Sequence, residues 1–151
     1  MNRRSFGSAC LFLCLFWCTM PAFADSADKR PLDANKNLIL EFFRVVFEAE
    51  NAEAAGDYLQ KDFVQHNPKV LPGKDGFIKY YKAKWKRPKP VKPELMVRPV
   101  EIIAEGDFVS VMWKYQKEDP ADKKKRYDAF WFDLFRLKNS KIAEHWDNAV
   151  R

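Results

Sequence analysis

Apolar positions recur at helical spacing in the first half of the chain and switch to strand spacing in the second. Ile39, Phe42, Phe43 and Val46 follow one helical face, and Leu38, Val45 and Phe47 widen it. The pattern predicts a helix over 36–49 with little surface facing water. Asn35 suits its N-cap, and Asn51 suits the cap of a second, shorter helix ending near Leu59. Phe63-Val64-Gln65-His66 reads as a short extended segment, because Pro68 drives Asn67 out of the helical region. Residues 72–76 form a turn. A third helix opens at Asp75, carries Phe77, Ile78, Tyr81 and Trp85 at helical spacing, and stops at Pro88 and Pro90.

From about Glu94 the pattern is that of strands. Residues 96–104 are rich in Val and Ile, Glu105-Gly106 is a two-residue hairpin signal, and 107–117 is the return strand. A charged loop over 118–126 leads to a long strand over 127–137, apolar on both faces apart from Asp128, Asp133 and Arg136. Lys138-Asn139-Ser140 turns the chain into a last strand over 141–150. Three helices followed by an antiparallel four-strand meander define an α+β fold, with the helices on one sheet face. The long two-sided strand calls for cover on the other face as well. In a chain of 151 residues a second copy is the expected cover, which makes a homodimer through the sheet.

The N-terminus changes this picture. Arg3 and Arg4 precede an apolar stretch over 11–17, and Ala22-Phe23-Ala24 matches a small-x-small cleavage site. Residues 1–24 are therefore expected to be a signal peptide, 25–34 a mobile tail and 35–151 the folded domain, exported to the periplasm or secreted. The apolar run is shorter than the roughly 20 residues of a membrane span, so no stable membrane insertion is expected. Arg3-Arg4-Ser5-Phe6 leaves twin-arginine export open beside ordinary secretion. Cys10, Cys14 and Cys18 all lie in this leader. The mature chain then has no disulfide, no thiolate nucleophile and no thiolate metal ligand. Cys10 and Cys18 also lack the Leu-x-small context of a lipid attachment site.

The formal charge of +6 drops by the two leader arginines, which leaves a mildly basic domain without the footprint of a nucleic-acid binder. Lys82, Lys84, Lys86, Arg87, Lys89 and Lys92 read as a solvated surface loop. An aromatic content of 15% suits a small-molecule pocket.

The candidate chemistry sits in two segments that hold the only two histidines, Gln65-His66-Asn67-Pro68 and Glu144-His145-Trp146-Asp147. Imidazole titrates near neutrality. Strand alternation puts His145 and Asp147 on one face beside Ala143 and Ala149, and Asp133 shares parity with Trp131 and Phe135. Polar groups on an apolar sheet face cost free energy unless paired, which makes these three a candidate site; a satisfied core pair of His145 with Asp147 is the alternative. Two histidines and a carboxylate could in principle ligate a metal, but no spacing brings His66 to the others, and the site is read as metal-free. Ser110 and Ser140 lack the glycine elbow of a serine nucleophile.

These two segments, together with Asp133-Leu134-Phe135-Arg136, resemble the signatures of the SnoaL-like polyketide cyclase family within the nuclear-transport-factor-two-like superfamily. The resemblance spans 35–151. It implies a cone-shaped α+β barrel, a curved antiparallel sheet wrapped over the helices, dimers through the outer sheet face, and acid/base chemistry without metal or organic cofactor. The family's acid/base positions match His66, His145 and Asp147. The expected site is a cavity shaped by Phe42, Tyr81, Trp85, Trp131 and Asp133, in which Asp147 removes a proton α to a carbonyl and His145 or His66 donates to the enolate oxygen. The ligand is expected to be a small apolar or carbonyl-containing compound. A non-catalytic periplasmic binding protein is the second reading. A dimeric interaction domain, its interior filled by its own side chains, is the third.

Overall fold

The computed structural model of the protein describes residues 29–149. The expected leader, the first part of the expected tail and Val150 lie outside the described residues.

Helix α1 (Lys29–Phe42) begins well before the Lys36 expected from periodicity, so residues 29–34 belong to it. Pro31 falls in the first turn, where no intrahelical N–H bond is needed. Asn35 is therefore inside the helix and not its cap; its side-chain amide donates to the Gly106 carbonyl at 3.2 Å and ties the helix to a sheet turn. The helix continues as a π-helical segment, Phe43–Glu48. Helix α2 (Ala55–Tyr58) is a single turn, and Asn51 Oδ1 accepts the Ala54 N–H at 3.3 Å just before it. Strand β1 (Leu59–Gln65) follows directly. Helix α3 (Gly73–Lys84) opens two residues earlier than the expected Asp75. Its Gly76 has to lack a side chain, since a Cβ there would lie 2.9 Å from the Leu71 carbonyl carbon. The basic loop after α3 is exposed, as expected.

Strand β2 (Glu101–Glu105) is shorter than the expected 96–104. The Met96 and Val97 N–H groups donate to the Glu48 carboxylate, at 2.9 and 2.8 Å, rather than to a strand, and Pro99 has no N–H to offer. Strands β3 (Phe108–Glu118), β4 (Arg126–Lys138) and β5 (Lys141–Asp147) lie close to the expected ranges. The β2–β3 turn is Gly106-Asp107, one residue later than expected, because Glu105 pairs with Phe108. At the β4–β5 turn Asn139 and Ser140 both take positive φ, 51° and 55°, the geometry that a tight two-residue hairpin requires.

The sheet order is β1-β5-β4-β3-β2. Strands β2 to β5 form the expected antiparallel meander. β1 adds a fifth strand, parallel to β5, so the sheet is mixed and open. Only Leu59 and Phe63 are fully buried in β1, and two inward apolar residues make a faint strand signal. The helices cover one face. Ile39, Phe42, Val46 and Phe77 pack there against Val109, Val111, Phe135 and Ile142 from the strands. Phe42 is 1% exposed and central, with the Phe43, Phe47, Tyr58, Phe77 and Phe135 ring centroids 5.5–6.2 Å from its own. The opposite face leaves Ile103, Phe108, Phe130, Phe132 and Leu134 exposed.

Candidate functional site

Asp133 is the hub of the helix-facing side of the sheet. On β4 it shares a face with Trp131 and Phe135, and the register sets Phe135 opposite His145 and Asp133 opposite Asp147. Trp113 on β3 stands opposite Trp131. Three donors consequently converge on one carboxylate. The Trp113 indole N–H donates to Asp133 Oδ2 at 2.8 Å and the Trp131 indole N–H to Oδ1 at 3.1 Å. His145 Nε2 lies 2.9 Å from Oδ1. Asp133 is 5% and His145 8% exposed. Burying a carboxylate is expensive, and charge-assisted hydrogen bonds of this kind offset that expense.

The second edge of the His145 ring faces β1. Gln65, in register with His145, places Oε1 3.0 Å from His145 Nδ1 and accepts the Asn67 backbone N–H on the same atom at 2.9 Å. Phe135 stacks on the imidazole, with ring centroids 4.6 Å apart at 19°. Asp147 accepts the Asn67 side-chain N–H at 2.6 Å and the Ala149 N–H at 2.9 Å.

His66 is elsewhere. Its ring stacks on Trp146, with centroids 4.5 Å apart at 5°, and its Nε2 lies 3.0 Å from Glu144 Oε2. Arg136 pairs with the same glutamate. Glu144 and Trp146 alternate with His145 and Asp147 along β5, so the two imidazoles lie on opposite faces of the sheet. The expectation that both share one hollow is thereby corrected. Within β1 it is Gln65, in step with the buried Phe63, that points inward. The carboxylate bonded to His145 is Asp133, not Asp147.

The expected cavity is almost closed. A void of about 10 Å³ remains, walled by Phe42, Phe43, Phe47 and Phe77 with Asp133 and His145 on one side. That is about the space of one water. Phe42 and Asp133 line it as expected. Tyr81, Trp85 and Trp131 do not; Tyr81 packs between Phe47 and Trp85 at ring distances of 5.2 and 4.6 Å. Burial, followed by the charges of Tyr80, Asp133 and Asp147, pushes the Tyr81 phenol well above its ordinary range, so it stays protonated. An open cleft of about 170 Å³ lies beside the void, between Leu95, Val97, Trp113 and Tyr115. Phe43 and Phe47 border both spaces, and both come from the π-helical segment, a helix form frequent at functional sites.

Asp133, His145 and Asp147 each present one potential ligand atom within 4.8 Å of the others. A cation there would have to displace the indole and imidazole donors from Asp133, so the donor set fits a hydrogen-bonded network better than a metal. Sequence reasoning did not single out Gln65, Asn67, Trp113, Phe43 and Phe47 as site residues. Parity along β1 would have found Gln65; Trp113 needs the β3–β4 register.

The SnoaL-like domain family matches residues 39–145, and the chain belongs to that family. No curated protein matches it. Among solved structures, one assigned as a SnoaL-like polyketide cyclase from Jannaschia sp. CCS1 is 17% identical with a TM-score of 0.55, covering 80% of this chain and 90% of that one. A polyketide cyclase assignment from Acidithiobacillus ferrooxidans is 18% identical with a TM-score of 0.54, covering 76% and 86%. A protein with a ketosteroid isomerase-like fold from Catenulispora acidiphila, in complex with trimethylamine, is 15% identical with a TM-score of 0.51, covering 74% and 84%. At these identities the likeness is one of fold. No helix among the described residues is long and apolar enough to cross a membrane.

Proposed function

We propose that the protein is exported and binds a small carbonyl compound between its helices and sheet, catalysing proton transfer α to the carbonyl without a cofactor. The observation that carries this reading is the buried Asp133–His145 pair at the wall of an otherwise apolar void. In this scheme Asp147 takes the carbon-bound proton, and the His145 Nε2–H leaves Asp133 to deliver a hydrogen to the developing enolate oxygen. Such general acid/base help is typically worth about 10²–10⁴-fold. The ligand enters from the Leu95–Val97 cleft and displaces Phe43 and Phe47, since the void alone admits no organic molecule. The Arg3-Arg4 leader pattern supports export.

The test is solvent deuterium exchange. A panel of enolisable ketones and β-keto esters is incubated with the protein in heavy water, and exchange at the α carbon is followed by NMR. We expect exchange with at least one class, reduced roughly 10²–10⁴-fold in Asp147→Asn. Mass spectrometry of protein recovered after expression of the full chain is expected to show Asp25 as the first residue and a retained small molecule. Exchange unchanged in Asp147→Asn would remove that residue from the mechanism. Absence of exchange throughout the panel would favour the second reading.

That second reading is a non-catalytic small-molecule binding protein, whereas the near-filled interior favours the third, a dimeric interaction domain packed with its own side chains. All three readings use a homodimer through the open sheet face, supported by its exposed Phe108, Phe130, Phe132 and Leu134; contiguous apolar patches of this kind mark interaction sites. Phe132 is 47% exposed at the middle of β4. Phe132→Glu is expected to give a folded monomer in sedimentation analysis where the wild type is a dimer. A wild-type monomer at micromolar concentration would dismiss the dimer.

A further inference from the structure

We infer that Gln65 is a positioning residue that keeps a hydrogen on His145 Nδ1, and that the Asp133–His145 pair therefore holds a further proton between its own two atoms at rest. Asn67 sets the orientation of the amide. Its backbone N–H can only donate, and it lies 2.9 Å from Gln65 Oε1. Turning the Gln65 amide over would set an NH2 group against that N–H, so the position of the carboxamide oxygen is fixed. The same oxygen lies 3.0 Å from His145 Nδ1. An amide oxygen can only accept, so Nδ1 carries a hydrogen. The orientation has a visible cost: Gln65 Nε2 is buried with no partner among the described residues. An unpaired buried donor is costly, and the two bonds accepted by the oxygen offset that cost.

At the other edge of the ring, Nε2 lies 2.9 Å from Asp133 Oδ1. The indoles of Trp113 and Trp131 already donate to this carboxylate, and an indole N–H cannot accept. A neutral ring with its hydrogen on Nδ1 would aim a bare nitrogen lone pair at a carboxylate lone pair, between two buried side chains. A proton between the two atoms removes that repulsion. With that proton carried on Nε2 the pair sums to zero charge. The groups facing it point the same way. Asp147 on β5 has a carboxylate oxygen within 4.8 Å of the cluster and favours added positive charge. Tyr81 on α3 is held protonated. β3 and β1 contribute the neutral Trp113 and Gln65.

Both ring hydrogens are engaged at rest, so a ligand oxygen has to draw the Nε2 hydrogen away from Asp133. The ligand class is then a carbonyl or enolate oxygen rather than an ammonium group; this consequence rests on the function proposed above, whereas the proton count does not.

The experiment is imidazole ¹⁵N–¹H correlation NMR of the uniformly labelled protein at neutral pH, with His66→Gln used to assign the His145 signals. In the wild type both His145 nitrogens are expected at shifts of the protonated type. Gln65→Glu keeps the acceptor and is expected to retain both hydrogens. Gln65→Leu removes it, and one His145 nitrogen is expected to move to the unprotonated range while the backbone amide spectrum stays folded. An unprotonated nitrogen in the wild type overturns the proposal, as does Gln65→Leu with both nitrogens still protonated. Should Gln65→Leu fail to fold, loss of a ring hydrogen in Gln65→Glu overturns it. These signals are independent of turnover, so a failure here is distinguishable from absent deuterium exchange.

Discussion

Replacing Asp133 with alanine is expected to remove about 3–5 kcal/mol of stability, the range for breaking a buried pair by deleting one partner. The melting temperature should fall by roughly 10–20 °C for a domain of this size. Three donors converge on that carboxylate, two indole N–H groups and the imidazole. Deleting it leaves the buried Trp113 and His145 and the half-buried Trp131 without an acceptor. Asp133→Asn should fall between, because it restores one acceptor but turns an NH2 group toward a donor. Asp128, on the same strand, is exposed and bonded to Lys114 and Gln116; Asp128→Ala should stay within about 0.5 kcal/mol of wild type. Denaturant unfolding of the three variants measures the series. An Asp133→Ala protein as stable as the Asp128 control would mean that the network adds nothing to the fold.

The second large effect separates two neighbouring phenylalanines. Phe42, at the centre of the aromatic core, has no room to relax, and Phe42→Ala should cost about 3–5 kcal/mol. Phe47 is only half-buried and stands between the void and the outer cleft. Phe47→Ala should cost distinctly less and merge the two spaces into one pocket. The expected signature is new binding of a small aromatic fluorophore to Phe47→Ala, competed by benzene-like ligands and absent from the wild type. If Phe47→Ala gains no binding, Phe47 is not the wall that closes the interior. If it is as destabilising as Phe42→Ala, the residue is core rather than partition.

Most of the architecture was readable because period carries it. The Ile39-Phe42-Phe43-Val46 face marks α1 whatever its exact start, and Asn139-Ser140 between two alternating runs marks the β4–β5 hairpin. What escaped was what period does not encode. Phe63 to Gln65 reads as extended, but Lys61 and Asp62 hide the start of β1 at Leu59, and nothing in the pattern pairs this strand with β5. Residues 96–100 are apolar enough to read as strand, yet Glu48 captures the Met96 and Val97 N–H groups. The site was legible in part for the same reasons. Alternation correctly set His145, Asp147 and Asp133 on one face. The two histidine segments do meet, through the His66 N–H and the His145 carbonyl at 2.9 Å. Contact between segments is not contact between side chains, however, and one residue of strand phase decides which imidazole turns inward. His66 fell on the wrong phase, and Gln65 beside it holds the position.

The placement of β5 has a consequence for how the molecule assembles. This strand slots between β4, its hairpin partner, and β1, whose Gln65 is 80 positions away from His145. The hairpins can zip early, at little entropic expense, but β1 finds its edge only after a long loop closes. The histidine–glutamine contact belongs to that late step. The donors around Asp133, which come from β3, β4 and β5, can thus gather in a nascent meander while the second edge of the imidazole is still bare, and only final docking of β1 completes the network.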